Sequence, residues 1–142
     1  MTVKILVAYD GSEWSHKALE EVRNQAVNAP DKEVHIVQVA NSAGPVTYAA
    51  VQKEMGKELA ASLEDKMEET KKELTEENYT VITKGLVGEK NAGAAICEYA
   101  EEHGMDLIII GNRGLGSVKR LFLGSVSNSV VQNATCPVLV MK

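Results

Sequence analysis

Runs of consecutive apolar residues alternate along the chain with stretches in which apolar residues recur every third or fourth position. The runs are VKILVAY (Val3–Tyr9), EVHIVQV (Glu33–Val39), YTVITKG (Tyr79–Gly85), DLIII (Asp106–Ile110) and PVLVMK (Pro137–Lys142). The first and fourth are apolar at nearly every position, the pattern of a strand covered on both faces. Thr80, Thr83 and Lys84 make the third more suited to an edge. Between the runs, Trp14, Ala18, Leu19, Val22 and Ala26 keep helical spacing, and that helix should stop before Pro30. Val51, Met55, Leu59, Leu63, Met67 and Leu74 form a drifting stripe that predicts one long helical segment between Val46 and Glu77, with Gly56 as the candidate bend or break. Ala92, Ala95, Ile96, Tyr99 and Ala100 mark a third helix, and Val126, Val130 and Ala134 a fourth, broken before Pro137.

Five strands alternating with four helices predict an α/β fold: a Rossmann-like, open, twisted, parallel five-stranded sheet with helices on both faces. A chain that starts in the middle, winds outward through its second and third strands and returns to add the fourth and fifth gives the order 3-2-1-4-5. Ligands of such sheets bind outside the carboxyl ends of the strands where the winding reverses, here between the first and fourth. The loops emerging there are YDGSE and GNRGLGSVKRLFLGS. A chain of 142 residues with 44% hydrophobic content is expected to form a single domain over 1–142. A net charge of -5 and a pI near 5.2 argue against a nucleic-acid partner. No run approaches the roughly 20 apolar residues of a membrane span, and no signal-peptide pattern precedes KILVAYD, so a cytoplasmic protein without membrane contact is expected. Cys97 and Cys136 lack disulfide-framework or zinc spacing and read as buried thiols.

The long second loop carries most of the candidate chemistry. Gly111 and Gly114 present no side chain, so backbone amides there can approach an anion. Gly124 and Ser125 open a helix, with Ser125 the candidate N-cap and the N–H groups of Val126, Ser127 and Asn128 facing the same anion. Arg113 lies between two loop glycines, whereas Lys119 and Arg120 read as solvated surface. Each residue alone is ordinary loop punctuation; a plain strand-to-helix connection, however, needs only about 2–6 residues. Their joint placement at one crevice points to phosphate binding. Asp10 suits a ribose or a hydrated Mg²⁺, and equally a helix cap. Val39 suits the wall of an adenine pocket, and equally plain core. Neither a G-x-x-x-x-G-K-[ST] loop nor a G-x-G-x-x-G after the first strand is present. His16, His35 and His103 form no triad with a nucleophile and read as structural or surface residues, which leaves Asp10 as the one candidate base.

Gly111, Gly114, Gly124 and Ser125 satisfy G-x2-G-x9-G-[ST], and with ILVAYDGSE, DLIIIGNRG, GSVS and CPVLV they make the whole chain resemble the universal stress protein family, in its ATP-binding branch. The stretch VGEKNAGAAI departs from the Gly-Asp-Pro that many relatives place before the helix. The resemblance implies ATP, ADP or AMP as ligand, with Mg²⁺ near Asp10, and a binding set of Ala8, Asp10, Val39, Ile110, Gly111, Arg113, Gly114, Gly124, Ser125, Val126 and Ser127. It implies no catalytic residue. It also implies a homodimer through Val138–Met141, for which an edge strand apolar at every position supplies a separate physical motive. The expected function is a dimeric nucleotide-binding switch of the stress response, whose loop from Arg113 to Leu123 orders with the ligand. A slow Mg-dependent ATPase using Asp10 and a nucleotide-independent dimeric scaffold stand as alternatives.

Overall fold

Residues that are apolar at every position need cover on both sides, and the first and fourth runs have it at the centre of a parallel sheet. The computed structural model describes residues 2–26, 28–41, 49–88, 91–112 and 124–142. Its elements in chain order are β1 (Thr2–Ala8), α1 (Glu13–Gln25), β2 (Asp31–Asn41), α2 (Ala49–Lys66), α3 (Glu68–Glu76), β3 (Tyr79–Gly88), α4 (Ala92–Glu102), β4 (Leu107–Gly111), α5 (Ser125–Asn133) and β5 (Val138–Met141). The sheet order is β3-β2-β1-β4-β5, as the winding argument requires, and every pairing is parallel.

Alternate residues of the strands feed two cores. On one face Ile5, Val7, Val34, Ile36 and Ile109 pack with Ala18, Leu19 and Val22 of α1 and with Leu63, Met67 and Leu74. On the other, Leu6, Ala8, Val37, Ile108 and Ile110 pack with Ile96, Tyr99 and Ala100 of α4 and with Val130 of α5. Each fully buried Leu or Ile contributes about 1.5–3 kcal/mol relative to an exposed one, so apolar burial on both faces holds the sheet between its helices.

The predicted single helical segment is two helices, which makes five among the described residues in place of the expected four. The break falls at Met67 and not at Gly56. Leu63, Met67 and Leu74 are all buried and, at spacings of four and seven, lie on one helical face, so α2 and α3 present one apolar stripe to the core across the break. Backbone bonds from Met67 N–H to Leu63 O (2.9 Å) and from Lys71 N–H to Met67 O (2.7 Å) carry the junction through. Gly56 lies inside α2, where its carbonyl would stand 2.8 Å, and the Ala60 amide nitrogen 2.7 Å, from a Cβ at Gly85. Bare backbone at Gly85 therefore lets α2 seat directly on β3. Val46, part of the expected helical segment, lies outside the described residues.

His35 and His103 are structural, as the sequence suggests. Buried His35 places Nδ1 2.6 Å from the Tyr99 hydroxyl and Nε2 2.8 Å from Glu33 Oε1, and the His103 ring stacks on Tyr99 at 3.9 Å. With Glu33 accepting the Nε2 proton, Nδ1 accepts from the tyrosine, and α4 is pinned to β2 at the amino end of the sheet. Burial and the nearby Glu33 charge raise the Tyr99 pKa, which keeps that hydroxyl a donor. Among the described residues no helix is long and apolar enough to cross a membrane.

Candidate functional site

At the carboxyl end of the sheet the strands stop at different heights. β1 pairs with β2 only as far as Ala8 opposite Val37, and Tyr9 N–H adds one more bond to Val37 O at 2.8 Å. β2 and β3 continue together to Asn41 and Gly88, beyond the ends at Val39 and Gly85 that the apolar runs suggest. The β1-facing edge of β2 past Val37 thus borders the crevice. Because the Val37 carbonyl faces β1, the alternation of a parallel ladder turns the N–H and C=O of Val39 to that side as well. The Val39 side chain packs, partly buried, against the core beneath α4. The side chain of Val39 thus takes the core reading of the two, and its backbone borders the carboxyl end of the sheet.

Tyr9 and Asp10 carry the chain from β1 toward α1. Ser12, not Asp10, caps that helix: its Oγ accepts the Ser15 N–H at 3.2 Å. Asp10 is exposed and acts one step earlier, its Oδ1 accepting the Ser12 N–H at 2.8 Å. Two short polar side chains divide the turn between them, so the cap goes to the residue directly preceding the helix. Burial first, and the Asp10 charge second, raise the pKa of neighbouring Tyr9, whose ring packs in the core beneath α1.

On the other side of the reversal, Ile110 is buried and Gly111 closes β4. A Cβ at Gly111 would stand 2.5 Å from the Trp14 Cβ, so the missing side chain makes room for α1. The chain leaves this strand at Asn112 and re-enters the described residues at Gly124, and the two are bonded: Gly124 N–H donates to Asn112 O at 2.8 Å. Asn112 N–H in turn donates to Met141 O of β5 at 2.7 Å. Arg113 and Gly114 of the expected set, with Lys119 and Arg120, lie outside the described residues, as does the loop up to Leu123.

The N-cap of α5 is Gly124 and not Ser125. The first turn closes from Asn128 N–H onto Gly124 O at 2.9 Å, which makes Ser125 the first helical residue. That same bond removes Asn128 from the expected anion donors. The open amides of the first turn are those of Ser125, Val126 and Ser127, which find no acceptor among the described residues. Ser125 itself is exposed, Val126 half-buried and Ser127 buried. Ala8, Asp10, Ile110, Gly111 and the Gly124–Ser127 turn therefore come together at the carboxyl ends of β1 and β4, with Val39 on the flanking strand. Sequence reasoning missed Ser12, Trp14 and Asn112. Ser12 carried a signal, a serine directly before Glu13 and a helical repeat; Asn112 acts through its backbone and carried none.

Among the described residues no group of three His, Cys, Asp or Glu side chains gathers to hold a metal. Cys97 and Cys136 are half-buried at the rim of the core beneath α4 and α5, and burial raises both thiols. They stand outside the crevice.

The reversal of winding between β1 and β4 places the chain among the Rossmann-like open α/β proteins. A narrower placement follows from known proteins: the sequence model of the universal stress protein family matches residues 1–142, and the chain belongs to that family. It is 31% identical over 152 residues to universal stress protein YxiE of Bacillus subtilis, covering 98% of each chain. Its fold is similar to the solved structure of MJ0577, a universal stress protein of Methanocaldococcus jannaschii, with a TM-score of 0.79, 32% identity, and coverage of 98% of this chain and 94% of that one. A structure from Arabidopsis thaliana, solved with AMP bound, shares the fold at a TM-score of 0.62 and 22% identity, with 99% of this chain and 91% of that one covered.

Proposed function

We propose that residues 1–142 act as a single-domain, dimeric nucleotide-binding module of the stress response, with ATP, ADP or AMP in the crevice between β1 and β4. The observation that carries this reading is the open first turn of α5: three amides without an acceptor among the described residues, at the positive end of a helix dipole, stand beside the end of β4. An anion there gains hydrogen bonds that no acceptor among the described residues supplies. The AMP-bound Arabidopsis relative supports a nucleotide as that anion, through a fold held in common.

The remaining residues take roles by chemistry. The backbone of Val39 offers one donor and one acceptor at a strand edge, complementary to the N1 acceptor and exocyclic amine of adenine. Asp10, exposed beside the phosphate turn, suits the ribose or a Mg²⁺ carried in on the phosphates. Ala8, Ile110 and Gly111 form the floor, Gly124 and Ser125 the phosphate turn, and Arg113 and Gly114 belong to the loop that joins them. Nucleotide occupancy is the signal, read by partners at the crevice. The copies meet through Val138–Met141, half-buried at every position on a sheet edge.

Titration calorimetry with Mg-ATP tests the reading. Binding should release or absorb measurable heat, and ATP at a hundredfold excess over Kd should stabilise the fold by about 2.7 kcal/mol. No heat together with an unchanged melting temperature would remove ATP as the ligand.

A further inference from the structure

Two serines open α5, and they are placed differently. Ser125 is exposed, whereas Ser127 is 3% exposed and its hydroxyl lies 2.9 Å from Asn112 O and 3.0 Å from Gly124 O. One hydroxyl proton therefore serves two carbonyls, one at each end of the segment that leaves β4 and returns as α5. The Gly124 N–H bond to Asn112 O lies between the same two residues, and Asn112 N–H fixes that side to β5. No internal bond of the helix can do this work: Asn128 N–H to Gly124 O holds the turn closed but does not attach it to the sheet. Without the Ser127 hydroxyl, the Gly124 N–H bond would be the one hydrogen bond left between Asn112 and Gly124 among the described residues, and the buried Asn112 carbonyl and the half-buried Gly124 carbonyl would each lose a donor.

We propose that Ser127 is the positioning residue of the phosphate site: its side chain latches the first turn of α5 to the end of β4, and only its backbone amide reaches the ligand. The proposal rests on the nucleotide reading above and assigns its cause of order. Donors fixed before the ligand arrives cost no ordering on binding, so the latch acts on affinity without touching the nucleotide. Ser125 has the complementary role, with a hydroxyl uncommitted to the neck and open to solvent.

Ser127→Ala and Ser127→Thr, compared with the unchanged protein, separate the latch from general stability. ATP affinity is read by calorimetry, and hydrogen exchange is read at the Gly124 amide with the Val7 amide as the core reference. Loss of one such hydrogen bond should weaken ATP roughly tenfold and speed Gly124 exchange by a similar factor, while Val7 stays unchanged. The threonine variant keeps the hydroxyl and should restore both. Unchanged ATP affinity in S127A, or unchanged Gly124 exchange, overturns the latch. If S127A loosens Val7 as well, S127T decides: wild-type affinity and exchange support the latch, and lost affinity with Gly124 still protected overturns it. A wild-type protein that binds no ATP, yet whose Gly124 loosens in S127A, overturns the nucleotide reading and with it the positioning role.

Discussion

A methyl group at position 111 would meet Trp14 before it met any ligand. The approach of 2.5 Å to the Trp14 Cβ is closer than packed carbon atoms tolerate, and the Trp14 backbone at 3.0 Å leaves α1 no easy retreat. Gly111→Ala should therefore destabilise the protein by about 1–3 kcal/mol in urea unfolding without nucleotide. An unchanged unfolding midpoint would show that α1 is not held against β4 in this way. The need for glycine at this position was legible from its place between LIII and the loop; its cause was not, because a sequence displays the missing side chain and not the group that fills its space. The same limit explains Asp10 and Ser12. Both have the chemistry of a cap, and only the path of the backbone decides that Ser12 caps while Asp10 braces the turn.

Elements were legible wherever periodicity was strong. The uninterrupted apolar runs marked β1 and β4, and the breakers around Pro30 and Pro137 fell where α1 and α5 end. The stripe across Val51–Leu74 was read correctly as helical, yet its break was assigned to Gly56, since a lone glycine is the visible weak point. The break instead falls at Met67, a buried residue of the stripe itself, where no glycine or proline marks it. The open edge of the sheet at β5 raises a question of the same kind. Val138, Leu139, Val140 and Met141 are each only half-buried, on a strand paired on one side with β4. A flat apolar edge left in water invites pairing, and a second copy of the strand satisfies it. Sedimentation at micromolar protein should accordingly give a dimer, weakened by Leu139→Lys. A monomer in the unchanged protein would mean that this edge is covered in another way.

For the whole molecule, one reversal of winding sets what the crevice contains. Placing β1 at the centre brings the turn after it, the end of β4 and the start of α5 to one end of the sheet, while the Glu33–His35–Tyr99–His103 cluster lies at the other. The order of strands was legible, because right-handed crossovers leave few alternatives. The finer assignment of donors was not: Asn128 was counted among them until its amide proved to be committed to Gly124. The central claim is that nucleotide phosphates occupy the three amides that remain. Backbone amide shifts followed by NMR during an ATP titration test it most directly. The largest changes should fall on Ser125, Val126 and Ser127, with Asp10 and Val39 responding and Tyr99 silent. Shifts confined to the Tyr99 end of the sheet, or none at saturating ATP, would contradict it.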